Sequence, residues 1–204
     1  MSFMTRILLV RHGQSEWNAE GRWQGQADIA LSDLGRAQAR AAASSLGTFD
    51  LIAASTLSRA AETAHIISTT LGIGPVVPIP ALIERSAGEW SGLNRQEIDE
   101  HYPGYLEADK RPPGYEDDEA LWARVKVGLA EVVEMLSSGD EALVVAHGGI
   151  IYMLEERQGG SRGRIPNLGA LWLDVGESGS ISVSDRVELL TDESLASAQS
   201  SDIL

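Results

Sequence analysis

The 204-residue chain is predicted to be an α/β protein: a three-layer sandwich whose mostly parallel, mixed central sheet is covered by helices on both faces. Three observations predict this. Residues 7–10, 51–54 and 142–146 are short, fully apolar runs, as expected of strands buried on both faces. The stretches between them carry apolar residues at helical spacing. Strand and helix alternate along the chain, which favours parallel pairing through right-handed crossovers.

Each element has a local reason. Ile7, Leu8, Leu9 and Val10 make the first strand. A helix is predicted over 32–46, with Ser32 as N-cap, Leu34, Ala37 and Ala41 on one face, and Gly47 as the stop. After the strand at 51–54, Ala60, Ala64, Ile67 and Leu71 form a second helical stripe that Gly72 ends. Residues 86–117, broken by Pro103, Pro112, Pro113 and several glycines, read as an irregular excursion with one short helix at 94–101; such long loops are often lids or specificity elements. Leu121, Val125, Leu129, Val132 and Leu136 stripe a helix over 118–136 that leads into the strand at 142–146. Residues 170–175 and 180–190 flank a Gly-Glu-Ser-Gly turn and predict a late hairpin of edge strands, which makes the sheet mixed. Residues 1–190 are thus expected to form a single domain, and the Ser/Asp-rich segment 191–204 a flexible tail.

Composition narrows the function classes. With 43% hydrophobic and 23% charged residues the chain has the make-up of a soluble globular protein. A net charge of −14 disfavours nucleic acid and anionic membrane as partners. The absence of cysteine excludes disulfides, thiolate nucleophiles, zinc fingers and iron–sulfur clusters. No stretch approaches the ~18 apolar residues of a membrane span and no signal-like segment opens the chain, so a cytoplasmic protein is expected. Only Lys110 and Lys126 among the 16 cationic residues are lysines, and arginine suits bidentate recognition of phosphate or carboxylate.

Ligands of open α/β sheets bind at the carboxyl ends of strands, so the residues after each apolar run are informative. They are Arg11-His12-Gly13-Gln14-Ser15, Ser55 to Arg59, and His147-Gly148-Gly149. Each segment alone also fits a structural loop, but all three fall at one sheet edge, where helix N-termini add partial positive charge. Two histidines, two arginine forks and helix ends suit the spread charge of a phosphoryl group in transfer. The mid-helix His65 and the loop residue His101 have no comparable setting. A metal on His12 and His147 is disfavoured by the neighbouring cations Arg11 and Arg59, so no metal or other cofactor is expected. The G-x-S-x-G pattern at 159–163 lacks the strand–turn–helix setting of a nucleophile elbow.

With these residues assembled, the sequence resembles the histidine phosphatase superfamily, in the branch of cofactor-dependent phosphoglycerate mutase and its phosphatase relatives. The likeness spans residues 5–190 and rests on five ordered segments: Leu8 to Asn18, Leu31 to Ala39, Ser55 to Ala64, Leu82 to Arg85, and Val144 to Gly149. It implies that His12 attacks phosphorus to give a phosphohistidine while Arg11, Arg59 and His147 hold the phosphoryl oxygens. Two flanking arginines would disfavour a charged imidazole, which keeps the attacking lone pair available near neutral pH. The resemblance gives Glu84, rather than nearby Glu89, the part of protonating the leaving oxygen and then taking a proton from water. It also implies phosphate or substrate contacts from Gly13, Ser15, Asn18, Gln24, Gly25 and Gly148, although Ser15 serves equally well as a turn-stabilising residue. Trp17, Trp23 and Trp90 are candidate pocket walls or simply packed residues.

The expected activity is hydrolysis of a small-molecule phosphomonoester. A mutase must exclude water and grip a second acid group, and its relatives carry extra cations after the acid, whereas residues 94–118 are largely acidic here. Lys110 and Arg111 keep phosphoglycerate mutase as the alternative. A non-catalytic phosphate-binding module is the third reading, and the presence of both His12 and Glu84 counts against it. The expected partner is a small phosphorylated metabolite, with no nucleic acid and no membrane, and a homodimer is admitted.

Overall fold

The computed structural model describes residues 4–160, 163–176 and 179–190. Six strands form one sheet: β1 (Met4–Arg11), β2 (Leu51–Ala54), β3 (Val77–Pro78), β4 (Glu141–Ala146), β5 (Gly169–Gly176) and β6 (Ile181–Glu188). Their order is β3-β2-β4-β1-β5-β6. The first four in that order are parallel, while β5 and β6 are antiparallel additions at one edge. The predicted mixed sheet, with a late hairpin at its border, is therefore present. The centre of the hairpin turn, the G-x-S-x-G serine and the tail 191–204 lie outside the described residues.

The helices are α1 (Glu16–Ala19), α2 (Asp33–Ala43), α3 (Ser58–Leu71), α4 (Arg95–His101), α5 (Asp118–Glu134) and α6 (Gly148–Arg157). Alternation along β1 divides the core between two faces. Ile7 and Leu9 pack with Leu121, Val125, Leu129, Ile150 and Leu154 of α5 and α6. Leu8 and Val10 pack with Ala42, Ala43, Ala60, Ala64 and Ile67 of α2 and α3. Period-2 strands buried on both sides thus produce the three layers.

The predicted helix starts agree with the capping chemistry, but α2 ends at Ala43 with Ser44 as its C-cap, short of the predicted stop at Gly47, and α5 ends at Glu134 rather than at Leu136. Ser32 accepts from Gly35 N–H at the start of α2, and Gly72 closes α3 at φ +70°. Asn94 and Glu97 form a reciprocal capping box on α4. Three elements had no sequence signal: α1, β3 and α6. The first two are too short for a periodicity, with 4 and 2 residues. Helix α6 begins on two poor helix formers, Gly148 and Gly149, and has no side-chain N-cap hydrogen bond.

What matters for function is the register. Arg11 pairs with Ala146 and Ala54 with Val145, so β1, β4 and β2 end nearly flush. The ladder runs one step further, with His12 N–H donating to Ala146 O and Ser55 N–H to Val145 O. His12, His147 and Ser55 consequently stand side by side at one sheet edge.

Candidate active site

A cleft of about 570 Å³, measured with its open mouth, lies over this edge. Of the eleven residues expected there, it is lined by Arg11, His12, Asn18, Gln24, Gly25, Arg59, Glu84 and Gly148. Each is positioned by a different element. Arg11 ends β1, His12 follows it, Asn18 lies in α1, Arg59 is in the first turn of α3, and Gly148 opens α6.

The His12 ring is 2% exposed, and its Nδ1 lies 2.6 Å from the Gly13 carbonyl oxygen. A carbonyl can only accept, so Nδ1 carries the proton and Nε2 the lone pair. Arg59 Nε–H donates to that Nε2 at 3.2 Å. Burial, then the charges of Arg59 and Arg11, hold the His12 pKa well below the ordinary histidine range. The imidazole is therefore neutral at neutral pH, with its free electron pair directed at a guanidinium.

Arg59 is itself fully buried. Its other nitrogens donate to the Ala27 and Gly25 carbonyls at 2.8 Å each, and burial pushes its pKa down to about 10. Arg11 donates to the Ile165 carbonyl at 2.6 Å. His147, the residue before α6, is fully buried with its ring centre 5.2 Å from that of His12. Burial and the Arg59 charge likewise depress its pKa. Its Nε2 contacts Ser55 Oγ at 2.7 Å, whereas Nδ1 has no partner among the described residues. Such an orphan is unusual inside a protein.

Glu84 enters from the segment between β3 and α5. Its Oε2 accepts from Gly149 N–H at 3.2 Å and its Oε1 from Arg85 N–H at 2.7 Å. The carboxylate thus rests on the N-terminus of α6, a favourable place for negative charge. Glu89 points elsewhere, accepting from Tyr102 OH at 2.6 Å on the exposed side of the excursion. His65 and His101 are exposed and remote from the cleft.

Three of the expected residues do not line the cleft: His147, whose ring stands against that of His12, and Ser15 and Gly13, which lie behind the wall. Ser15 is fully buried; it caps α1 by accepting from Asn18 N–H, and its hydroxyl donates to Gln24 Oε1 at 2.8 Å. Its place fits the turn-stabilising reading. Gly13 N–H donates to Thr63 Oγ1, and a Cβ on Gly13 would stand 2.6 Å from Gly35 O. Gly13 thus allows a backbone crossing with α2.

Arg22, Trp23, Arg85, Ala87, Tyr115 and Gly149 complete the lining. Trp23 is one of the candidate walls, and Arg85 and Gly149 fall in the ordered segments, whereas Arg22, Ala87 and Tyr115 carry no signal in the sequence. Trp90 is fully buried with its ring centre 5.0 Å from that of Trp23, so it backs the wall. Arg124 of α5 uses all five guanidinium hydrogens on the carbonyls of Ala81, Ile83 and Glu84 and the carboxylate of Glu116, which anchors the Glu84 segment. Asn167 Nδ2 donates to the His12 carbonyl at 3.0 Å and reaches Asn18 Oδ1 at 3.4 Å. Ser15 N–H also donates to Asn18 Oδ1 at 3.2 Å. With its oxygen so occupied, Asn18 can offer the cleft only its N–H donors.

The arrangement joins a neutral imidazole with a lone pair on Nε2, guanidinium groups, a helix N-terminus and one carboxylate. Among the described residues no group of three or more His, Asp or Glu side chains could hold a metal ion. None of the helices there is long and apolar enough to cross a membrane.

Comparison with known proteins agrees with this chemistry. The chain is 37% identical over 160 residues to the Bacillus subtilis (strain 168) phosphatase PhoE, covering 77% of this chain and 79% of that protein. It is also 37% identical over 159 residues to a 2,3-bisphosphoglycerate-dependent phosphoglycerate mutase of Methylobacterium sp. (strain 4-46), covering 71% and 76%. Among solved structures, a mycobacterial glucosyl-3-phosphoglycerate phosphatase complexed with VO3 superposes with a TM-score of 0.76 at 33% identity, covering 88% of this chain and 96% of that one. Residues 7–165, which hold every side chain of the cleft named above, match the model of branch 1 of the histidine phosphatase superfamily, and the chain belongs to that family.

Proposed function

We propose that the protein hydrolyses small-molecule phosphomonoesters through a phosphohistidine on His12. The observation that carries this reading is the His12 Nε2 lone pair, held 3.2 Å from Arg59 Nε in a cleft that also contains Arg11 and the Glu84 carboxylate. In the first step Nε2 attacks phosphorus, the P–O bond to the alcohol breaks, and Glu84 passes to the departing oxygen the proton that the ester's phosphoryl hydroxyl brings into the cleft. In the second step water attacks the phosphohistidine, the N–P bond breaks, and the water proton passes to Glu84. Phosphate leaves and the imidazole returns to its starting form. Arg11, Arg59 and the N-terminus of α6 offset charge on the phosphoryl oxygens. His147 joins them through Nδ1: Ser55 Oγ already accepts from Leu57 N–H and can give its own proton to His147 Nε2, which leaves the imidazole proton on Nδ1. Asn18, Gln24, Gly25 and Gly148 surround the same volume as substrate contacts, with Gly13 and Ser15 supporting them from behind.

Relatives with phosphatase names support hydrolysis, and mutase relatives of equal identity keep phosphoglycerate mutase as the second reading. The largely acidic segment 94–118, with few cations to grip a second acid group, favours the hydrolase. The proposed setting is the cytoplasm, where small phosphorylated metabolites are made; the net charge of −14 argues against nucleic acid as substrate. The test is turnover of 4-nitrophenyl phosphate beside 3-phosphoglycerate with its bisphosphate primer. Hydrolysis that His12→Ala abolishes in a folded protein is expected. Faster formation of 2-phosphoglycerate than of free phosphate would establish the mutase, and turnover retained by His12→Ala would remove His12 from the mechanism.

A further inference from the structure

Arg59 is held at the site through both its side chain and its backbone. Its Nε–H donates to His12 Nε2, and its two terminal nitrogens donate to the carbonyls of Ala27 and Gly25. A guanidinium is a rigid planar fork, so three directed bonds fix its plane and with it the directions left for phosphoryl oxygens. Two of these three anchors belong to one loop, the chain that follows Gln24. The placement of that loop therefore decides where Arg59 points.

The loop is secured by Asp28, whose carboxylate reaches the start of α3. One of its oxygens accepts from Ser58 N–H at 2.7 Å and the other from the Ser58 hydroxyl at 2.9 Å. Helix α3 lacks a cap of its own: its N-cap is Leu57, which makes no side-chain capping bond, and its first turn contains no acid. Asp28 supplies the missing acceptor from 30 residues away and sets a negative charge at the positive end of the helix. Ser58 directly precedes Arg59, so the contacts close a circuit from the guanidinium through the loop carbonyls, Asp28 and Ser58 back to the Arg59 backbone. One turn further on, Thr63 Oγ1 donates to the Arg59 carbonyl at 2.7 Å and accepts from Gly13 N–H at 3.1 Å, which ties the same turn to the residue whose carbonyl fixes the His12 tautomer. Asp28 itself is exposed and does not border the cleft.

We infer that Asp28 is a positioning residue for Arg59, closing the circuit that aims the guanidinium at the phosphoryl group. The inference rests on the reading above, in which Arg59 holds that group. An Asp28 that only stabilised α3 would affect melting and leave the affinity for phosphate unchanged.

Inorganic phosphate is therefore the probe, its affinity read by calorimetry beside kcat and KM for 4-nitrophenyl phosphate. Asp28→Ala opens the circuit at an exposed residue, so the protein should fold. Its phosphate affinity and its kcat/KM should each fall about tenfold, the worth of one charge-assisted hydrogen bond. Asp28→Asn keeps an oxygen for Ser58 N–H and should recover most of the loss. Ser58→Pro cuts both bonds from the other side. Proline suits the first position of a helix, and Leu57, at φ −69° and ψ 135°, already has the extended backbone that precedes a proline. This variant should keep α3 and still show the loss seen in Asp28→Ala. In an Arg59→Met background, adding Asp28→Ala should change phosphate affinity by less than about twofold. Wild-type affinity in Asp28→Ala or in a folded Ser58→Pro overturns the inference, as does an undiminished loss in the Arg59→Met background. If the wild type does not hydrolyse 4-nitrophenyl phosphate, the hydrolase reading fails, and the phosphate affinities still decide the part of Asp28.

Discussion

Replacing Gly149 by alanine separates the support of Glu84 from the stability of the fold. A Cβ at this position would stand 2.5 Å from Glu84 Oε1 and 3.3 Å from Glu84 Cδ and Arg85 Cβ. Ordinary carbon–oxygen contact needs roughly 1 Å more, so the carboxylate must swing away and release the Gly149 N–H. Losing that charge-assisted bond costs about 1.5–3 kcal/mol at most, while alanine in a helix returns about 0.5–1 kcal/mol over glycine. The displaced atoms are the end of a flexible side chain, so the protein should fold with a melting temperature lowered by no more than about 10 °C. Catalysis should respond far more strongly. A misplacement of about 1 Å at a reacting group can cost on the order of 100-fold, and general acid–base assistance as a whole contributes about 10²–10⁴-fold. The assay compares 4-nitrophenyl phosphate, whose leaving group needs little protonation, with an alkyl phosphate, whose alkoxide needs it. The variant should lose about 100-fold in kcat on the alkyl ester and much less on the aryl ester. A folded Gly149→Ala enzyme that hydrolyses the alkyl ester within about threefold of the wild type would refute the placement of Glu84 as proton donor.

Further expectations concern the groups around the cleft. His12 and His147 are buried with folded-state pKa values depressed below the unfolded value of about 6.5, so the unfolded chain binds more protons as pH falls. Their contribution to stability is present above about pH 6.5 and is lost as pH drops toward the folded values, by up to about 1.4 kcal/mol per pH unit for each histidine. Denaturant melts between pH 7 and 5 should show this slope, and His12→Gln should reduce it; an unchanged slope would mean that His12 does not fold in its neutral form. Asn167→Ala should lower kcat/KM by about tenfold, as expected for loss of a buried hydrogen bond. The loss should shrink when Asn18 is already alanine, whereas equal losses in both backgrounds would show that Asn167 does not act through Asn18. Arg124→Lys cannot replace a five-donor fork, so it should cut kcat on alkyl esters more than on 4-nitrophenyl phosphate. Equal effects on the two would place Arg124 in the general scaffold only.

The sequence by itself determined the layered α/β architecture and the cluster of polar residues at one sheet edge, because both are written in local patterns. Apolar runs, helical stripes and caps specify elements from neighbouring residues, and the strand-end rule then selects Arg11, His12, Arg59 and His147. Glu84 could be reached only through the ordered motifs, since nothing local distinguishes it from Glu89. Tertiary structure alone decided that Gly13 answers to Gly35 and Ser15 to Gln24, and that Arg124 and Asn167 brace Glu84 and His12 from 40 and 155 residues away. It also decided that Arg85, Arg111, Tyr115 and Arg164 line one open space beside the cleft. These relations join segments remote in the chain, and their existence depends on how strands order and helices pack. Periodicity carries no record of a distance between two loops.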